Sequence, residues 1–127
     1  MHEASLAQSI VETVLRYAGA NKAQTVKSVQ VDLGALTFFN IDQVKFWVKV
    51  GFENTIAQNA RVVFRQIPGR IRCKACGFEG ELKMQQNAVY HLALPDFSCP
   101  SCNNETVSIV QGKEAVVKTI RILKKPE

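Results

Sequence analysis

The chain has 127 residues, 46% of them apolar, which suits one compact domain, or one domain with a small appendage, and a core of its own. Its net charge of +5 raises nucleic acid as a partner, while no stretch approaches the ~18 consecutive apolar residues of a membrane span. The opening Met1-His2-Glu3-Ala4-Ser5 lacks the basic-then-apolar order of a secretion signal, so a cytoplasmic protein is expected.

Residues 4–18 read as an amphipathic helix. Leu6, Ile10, Val14 and Tyr17 recur at helical spacing, and Ala7, Val11, Leu15 and Ala18 widen the apolar face before Gly19. Residues 26–33 read as a strand with one buried face, because Val29, Val31 and Leu33 alternate with Ser28, Gln30 and Asp32. A second helix is expected over 41–52. Asn40 is its N-cap, Gln43 stands at the capping-box position, and Val44, Trp47, Val48 and Gly51 line one face. Strands follow at 61–67, 106–110 and 115–123, the last rich in β-branched residues.

The order strand, helix, strand over 26–67 fits a crossover between parallel strands, and the strand at 115–123 can join the same sheet. The expected fold is α+β with an α/β-like crossover: a small mixed β-sheet with two helices, and a cysteine-bearing domain inserted into it. Residues 1–69 with 111–127 form the first domain and 70–110 the insertion, bounded by Pro68-Gly69 and Gln111-Gly112.

The four cysteines fall into two pairs, Cys73-Lys-Ala-Cys76-Gly77 and Cys99-Pro-Ser-Cys102-Asn103. Two intervening residues let both sulfurs of a pair face one ion, and Gly77 and Asn103 tolerate the positive φ of such a turn. In a reducing compartment this spacing reads as a zinc ribbon before it reads as disulfides or a rubredoxin-type iron site. Four protein ligands leave no open position for a substrate, so the zinc is structural.

Charge bears on the nucleic-acid reading. Between 70 and 110, Arg70, Arg72, Lys74 and Lys83 are balanced by Glu79, Glu81, Asp96 and Glu105. The excess lies elsewhere, partly in Lys113, Lys118, Arg121, Lys124 and Lys125, and reads as dispersed.

At the amino terminus, His2 offers an ion the terminal amine, its own backbone nitrogen and an imidazole, and Glu3 adds a backbone or carboxylate donor. Successive chelate rings favour the planar geometry of Ni(II) or Cu(II). Taken alone, a histidine at position 2 is more often a solvated chain end.

The chain resembles the HypA/HybF family of hydrogenase maturation factors nearly end to end. The likeness rests on Met1-His2-Glu3-x-Ser5, Val31-Asp32-Leu33-Gly34-Ala35-Leu36, Thr55-Ile56-Ala57-Gln58-Asn59-Ala60, both cysteine pairs and Ile109-Val110-Gln111-Gly112-Lys113-Glu114. The resemblance implies a nickel site at Met1, His2 and Glu3, a structural zinc at Cys73, Cys76, Cys99 and Cys102, and nickel as transferred cargo. It also implies two partners, the GTPase HypB and the large-subunit precursor of a [NiFe] hydrogenase. Ala35 stands where many members have Glu. The 22 residues between Cys76 and Cys99 are similar to the longer segment of archaeal members, in which a histidine can join the nickel site. His91 is that candidate here, set against a half-buried, hydrogen-bonded histidine among Tyr90, Leu92 and Leu94.

There is no phosphate-binding Gly-x-x-x-x-Gly-Lys-[Ser/Thr] loop and no Ser/His/Asp set, so no catalysis is expected. Neither nucleic acid nor membrane is an expected partner, and the chain is expected to be a monomer or weak homo-oligomer. The competing readings are a nucleic-acid-binding zinc ribbon and an iron electron carrier of rubredoxin type.

Overall fold

The computed structural model describes residues 2–81, 83–87, 92–96 and 98–126, and for His2, 83–87 and 92–96 it describes the backbone. The elements run α1 (His2–Ala20), β1 (Ala23–Gly34), a 3-10 turn (Ala35–Thr37), α2 (Ile41–Phe52), β2 (Arg61–Ile67), β3 (Arg70–Cys73), β4 (Glu79–Glu81), β5 (Lys83–Asn87), β6 (Leu92–Asp96), β7 (Val107–Gln111) and β8 (Ala115–Lys124). They divide into two compact units, one made of Met1–Leu33, Phe38–Arg65 and Ala115–Glu127, the other of Gly34–Thr37 and Gln66–Glu114.

In the first unit, both helices cover one face of a three-stranded sheet ordered β2-β1-β8. β8 joins β1 antiparallel, with Val29 opposite Ile120 and Val31 opposite Val117. The crossover ends where it should. Arg65, late in β2, grips Asp32, late in β1, through two hydrogen bonds of 3.2 and 2.8 Å. The core gathers Ala7, Ile10, Val14 and Ala18 of α1, Val26, Val29 and Val31 of β1, and Val44, Val48 and Phe52 of α2. α1 presses closely on α2 at Gly51, where an added Cβ would sit 2.7 Å from Val11 Cγ2. A side chain there would push the helices apart.

Two aromatic assignments need correction. Tyr17 and Trp47 are each 44% exposed, because their helical positions fall on the edge of the buried stripe. Ala18, expected on the same apolar face, is buried, and in α2 Phe52 is buried where Trp47 is not. Asn40 caps α2 as expected, its Oδ1 accepting the Gln43 N–H at 3.0 Å. The return bond of a capping box comes from elsewhere: the Asn40 N–H donates to Glu3 Oε2 at 3.2 Å.

In the second unit, β3 lies between β4 and β7, both antiparallel to it, and β5 and β6 form a hairpin. The segment that turns back at Gly34 is packed at backbone distance. The Leu36 N–H donates to the Gly112 carbonyl at 2.8 Å, and a Cβ on Gly34 would lie 2.1 Å from that oxygen. Gly112 itself has φ +100°, a conformation that disfavours side chains. Among the described residues, no helix is long and apolar enough to cross a membrane.

Candidate metal centre

Cys73 is the last residue of β3, and Cys99 follows β6 shortly before the second turn. The two turns repeat one hydrogen-bond pattern. The Cys73 N–H donates to the Phe78 carbonyl at 2.7 Å, and the Gly77 N–H to the Cys73 carbonyl at 3.0 Å. In the second turn the Cys99 N–H donates to the Asn104 carbonyl and the Asn103 N–H to the Cys99 carbonyl, each at 2.8 Å. Both turns close through a positive φ, +79° at Gly77 and +61° at Asn103, as the residue types predict. The repetition makes two matching loops that face each other. Cys73 and Cys99 are buried, while Cys76 and Cys102 are exposed.

The four sulfurs converge within 4.8 Å of one another. Cys73 Sγ is 3.7 Å from Cys102 Sγ, and Cys76 Sγ is 3.6 Å from Cys99 Sγ. A tetrahedron with metal–sulfur bonds of ~2.3 Å has edges of about 3.8 Å, so the spacing is that of four thiolates around one ion. A disulfide requires an S–S separation of ~2.05 Å, and the cysteines are free. The Ser101 N–H donates to Cys99 Sγ at 3.3 Å, and such a bond steadies a thiolate.

The protons tell the same story. The backbone N–H groups of Cys76 and Ala75 favour the Cys73 thiolate and hold that thiol down to about 7. Cys102 goes the other way. The Asn104 N–H favours its thiolate, but desolvation and the sulfurs of Cys76, Cys73 and Cys99 prevail and push it up to about 12. Four sulfurs this close cannot all ionise unaided, and a divalent cation removes the conflict. Zinc fits the donor set on number, type and spacing. Among the described residues of the unit, Ile71 is the large apolar side chain buried alongside Cys73 and Cys99.

The other expected ligands are Met1, His2, Glu3 and His91. Met1 and His91 are outside the described residues, as is the side chain of His2, whose backbone starts α1. Glu3 stands in the first turn of α1, and its carboxylate lies against Asn40. That bond, with the Asn40 N–H as the largest influence, holds the Glu3 carboxyl below its ordinary range. The Glu3–Asn40 contact was not legible in the sequence, because 37 positions separate the two residues.

Residues 1–122 match the family model described as "Hydrogenase/urease nickel incorporation, metallochaperone, hypA". The chain belongs to the HypA family. Among curated relatives, the hydrogenase maturation factor HypA of Methanothermobacter thermautotrophicus is 38% identical over 98% of this chain and 99% of its own length. The factor of the same name from Pyrococcus furiosus is 33% identical over 100% of this chain and 99% of its own. The solution structure of the Ni metallochaperone HypA from Helicobacter pylori superposes with a TM-score of 0.66 at 18% identity, covering 97% of this chain and 98% of that one. A further HypA solution structure gives 0.68 at 21%, covering 98% of both. The HypA match spans the amino-terminal segment and both cysteine pairs together.

Proposed function

We propose that the chain binds Ni(II) at its amino terminus and delivers it to the large-subunit precursor of a [NiFe] hydrogenase, holding a structural zinc at Cys73, Cys76, Cys99 and Cys102. The reading is supported chiefly by the family match over residues 1–122, which includes Met1-His2-Glu3 and all four cysteines. In this proposal nickel is cargo, and the chain performs no catalysis. The amino-terminal donors of the proposal belong to the first unit and the four cysteines to the second.

The proposed nickel donors are the Met1 amine, the His2 imidazole and backbone nitrogen, Glu3 and His91. α1 begins at His2, and the first N–H groups of a helix have no carbonyl partner within it. Recruiting a backbone nitrogen at that position therefore breaks no helical hydrogen bond. Nitrogen and oxygen donors in fused chelate rings suit square-planar Ni(II) better than zinc, which prefers the tetrahedral thiolate set. The two ions are thus sorted by donor chemistry within one chain. The proposal places the protein in the cytoplasm, with the GTPase HypB as partner.

The test is metal analysis of untagged protein exposed to nickel and zinc together. One zinc and one nickel per chain are expected, with His2→Ala losing nickel alone. Nickel retained by His2→Ala at the parent level refutes the amino-terminal site. A coloured, iron-containing preparation favours the electron-carrier reading instead.

A further inference from the structure

β1, β2 and β8 together hold six cations, Lys27, Arg61, Arg65, Lys118, Arg121 and Lys124, against one acid, Asp32. That surplus equals the whole net charge of +5, so the rest of the chain is balanced. The strand alternation then sorts the surplus by face. Val26, Val29 and Val31 of β1, Val62 and Phe64 of β2, and Val117, Ile120 and Ile122 of β8 pack into the core. Arg61 and Arg65 alternate with Val62 and Phe64, and Arg121 with Ile120 and Ile122, so these three stand on the face away from the helices. Lys27 and Lys118, at irregularities in the β1–β8 pairing, are exposed as well.

Asp32 does not cancel this patch. Arg65 holds it in a paired geometry, and Gln30 Nε2 donates to it at 3.0 Å. Lys118 is also close enough to help hold the Asp32 carboxyl down, and these strands carry no second acid for Lys27, Arg61 and Arg121. Three large aliphatic side chains are interleaved with the cations: Val63 is 39% exposed, and Val116 and Leu123 are 46% exposed. Cations around exposed aliphatics make a surface suited to a partner that brings both carboxylates and apolar groups.

We propose that the open face of the β2-β1-β8 sheet docks an acidic, partly apolar segment of a partner protein. Charge complementarity names the occupant's sign, and the aliphatic residues call for apolar groups between its carboxylates. Nucleic acid is the weaker fit. The three strands contain one aromatic ring, Phe64, and it packs into the core, so the face offers bases nothing to stack on. A cavity of about 620 Å³ lined by Asn21, Lys22, Lys124 and Lys125 lies where β1 starts and β8 ends, extending the basic character past the sheet.

The test uses the full-length, zinc-loaded chain without nickel, so its result is independent of the nickel site. Amide shifts of the isotope-labelled protein are followed while adding an end-capped peptide that alternates glutamate with valine. Shifts concentrated on β1, β2 and β8 are expected, with affinity falling as salt rises. The exposed pair Lys118→Glu/Arg121→Glu should weaken binding about tenfold or more, whereas Lys45→Glu/Lys49→Glu on α2 should change it by less than about twofold. Equal weakening by the two pairs reveals unspecific attraction to any polyanion and overturns the proposal. So do shifts located elsewhere, no shifts at all, or tighter binding of oligothymidylate than of the peptide.

Discussion

The Glu3 carboxylate accepts the backbone N–H of Asn40 at 3.2 Å, tying the first turn of α1 to the N-cap of α2. Asn40 in turn accepts from Gln43, so a three-residue relay starts both helices in register. The residue expected to help hold nickel is therefore also part of the scaffold that places it. Because the contact holds the Glu3 carboxyl below its ordinary value, the ionised form belongs to the folded state. The stabilisation is complete above the unfolded value near ~4.3 and is lost as pH falls through the lower folded value. Glu3→Gln keeps an acceptor but no charge. Its melting temperature should depend less on pH than the parent's between about pH 5 and about pH 3, measured by circular dichroism. Identical pH profiles would show that the charge contributes nothing.

The metal centre yields a second expectation. Replacing Cys73 or Cys99 with serine should release the metal and unfold the second unit, whose buried interior among the described residues is little more than Ile71 and those two sulfurs. Structural zinc in small domains contributes roughly 10–16 kcal/mol of binding free energy, which is folding free energy for the domain that holds it. Hydrogen exchange should show β3 and β7 losing protection while β1 and β8 keep theirs. Elemental analysis of fresh parent protein should find one zinc per chain, and less than about half would contradict a four-thiolate zinc site.

The helix crossing is testable at Gly51. A valine there meets Val11 at a point where even a Cβ would come within 2.7 Å. Gly51→Val should destabilise by about 1–3 kcal/mol, the usual range for overpacking, as read by urea denaturation. Adding Val11→Ala should restore part of the loss. Strict additivity of the two changes would mean that they do not meet.

Much of this was legible in the linear sequence, for identifiable reasons. The alternation in β1 and the Asn40 cap are local signals, and both stand in the structure. The cysteine pairs encode their own turn geometry through Gly77 and Asn103. What escaped was nonlocal. β3 and β4 are short and have little apolar alternation, so only their pairing with each other and β7 defines them. Trp47 sits at the margin of the buried stripe, where periodicity cannot separate core from surface. The charge surplus looked scattered because its contributors span positions 27 to 124, and sheet pairing brings them together.

His91 is the least constrained of the proposed donors. As a nickel ligand its replacement should be selective: His91→Ala should keep one zinc per chain and weaken nickel binding less than His2→Ala does. Competition titrations against a coloured nickel chelator would rank the variants. Parent-level nickel binding by His91→Ala, alone and with the GTPase, would return His91 to a structural role.

The central claim is that the chain's first residues hold nickel through the terminal amine. Calorimetric titration of nickel into untagged, zinc-loaded protein, beside the same chain extended by Gly-Ser before Met1, tests it most directly. The extension turns the amine into an amide and carries His2 away from the chain end. The untagged protein should bind one nickel ion, with affinity falling from about pH 8 to about pH 6 as protons compete for the nitrogen donors. The extended protein should bind weakly or not at all while keeping its zinc. Equal nickel binding by both proteins would contradict the account.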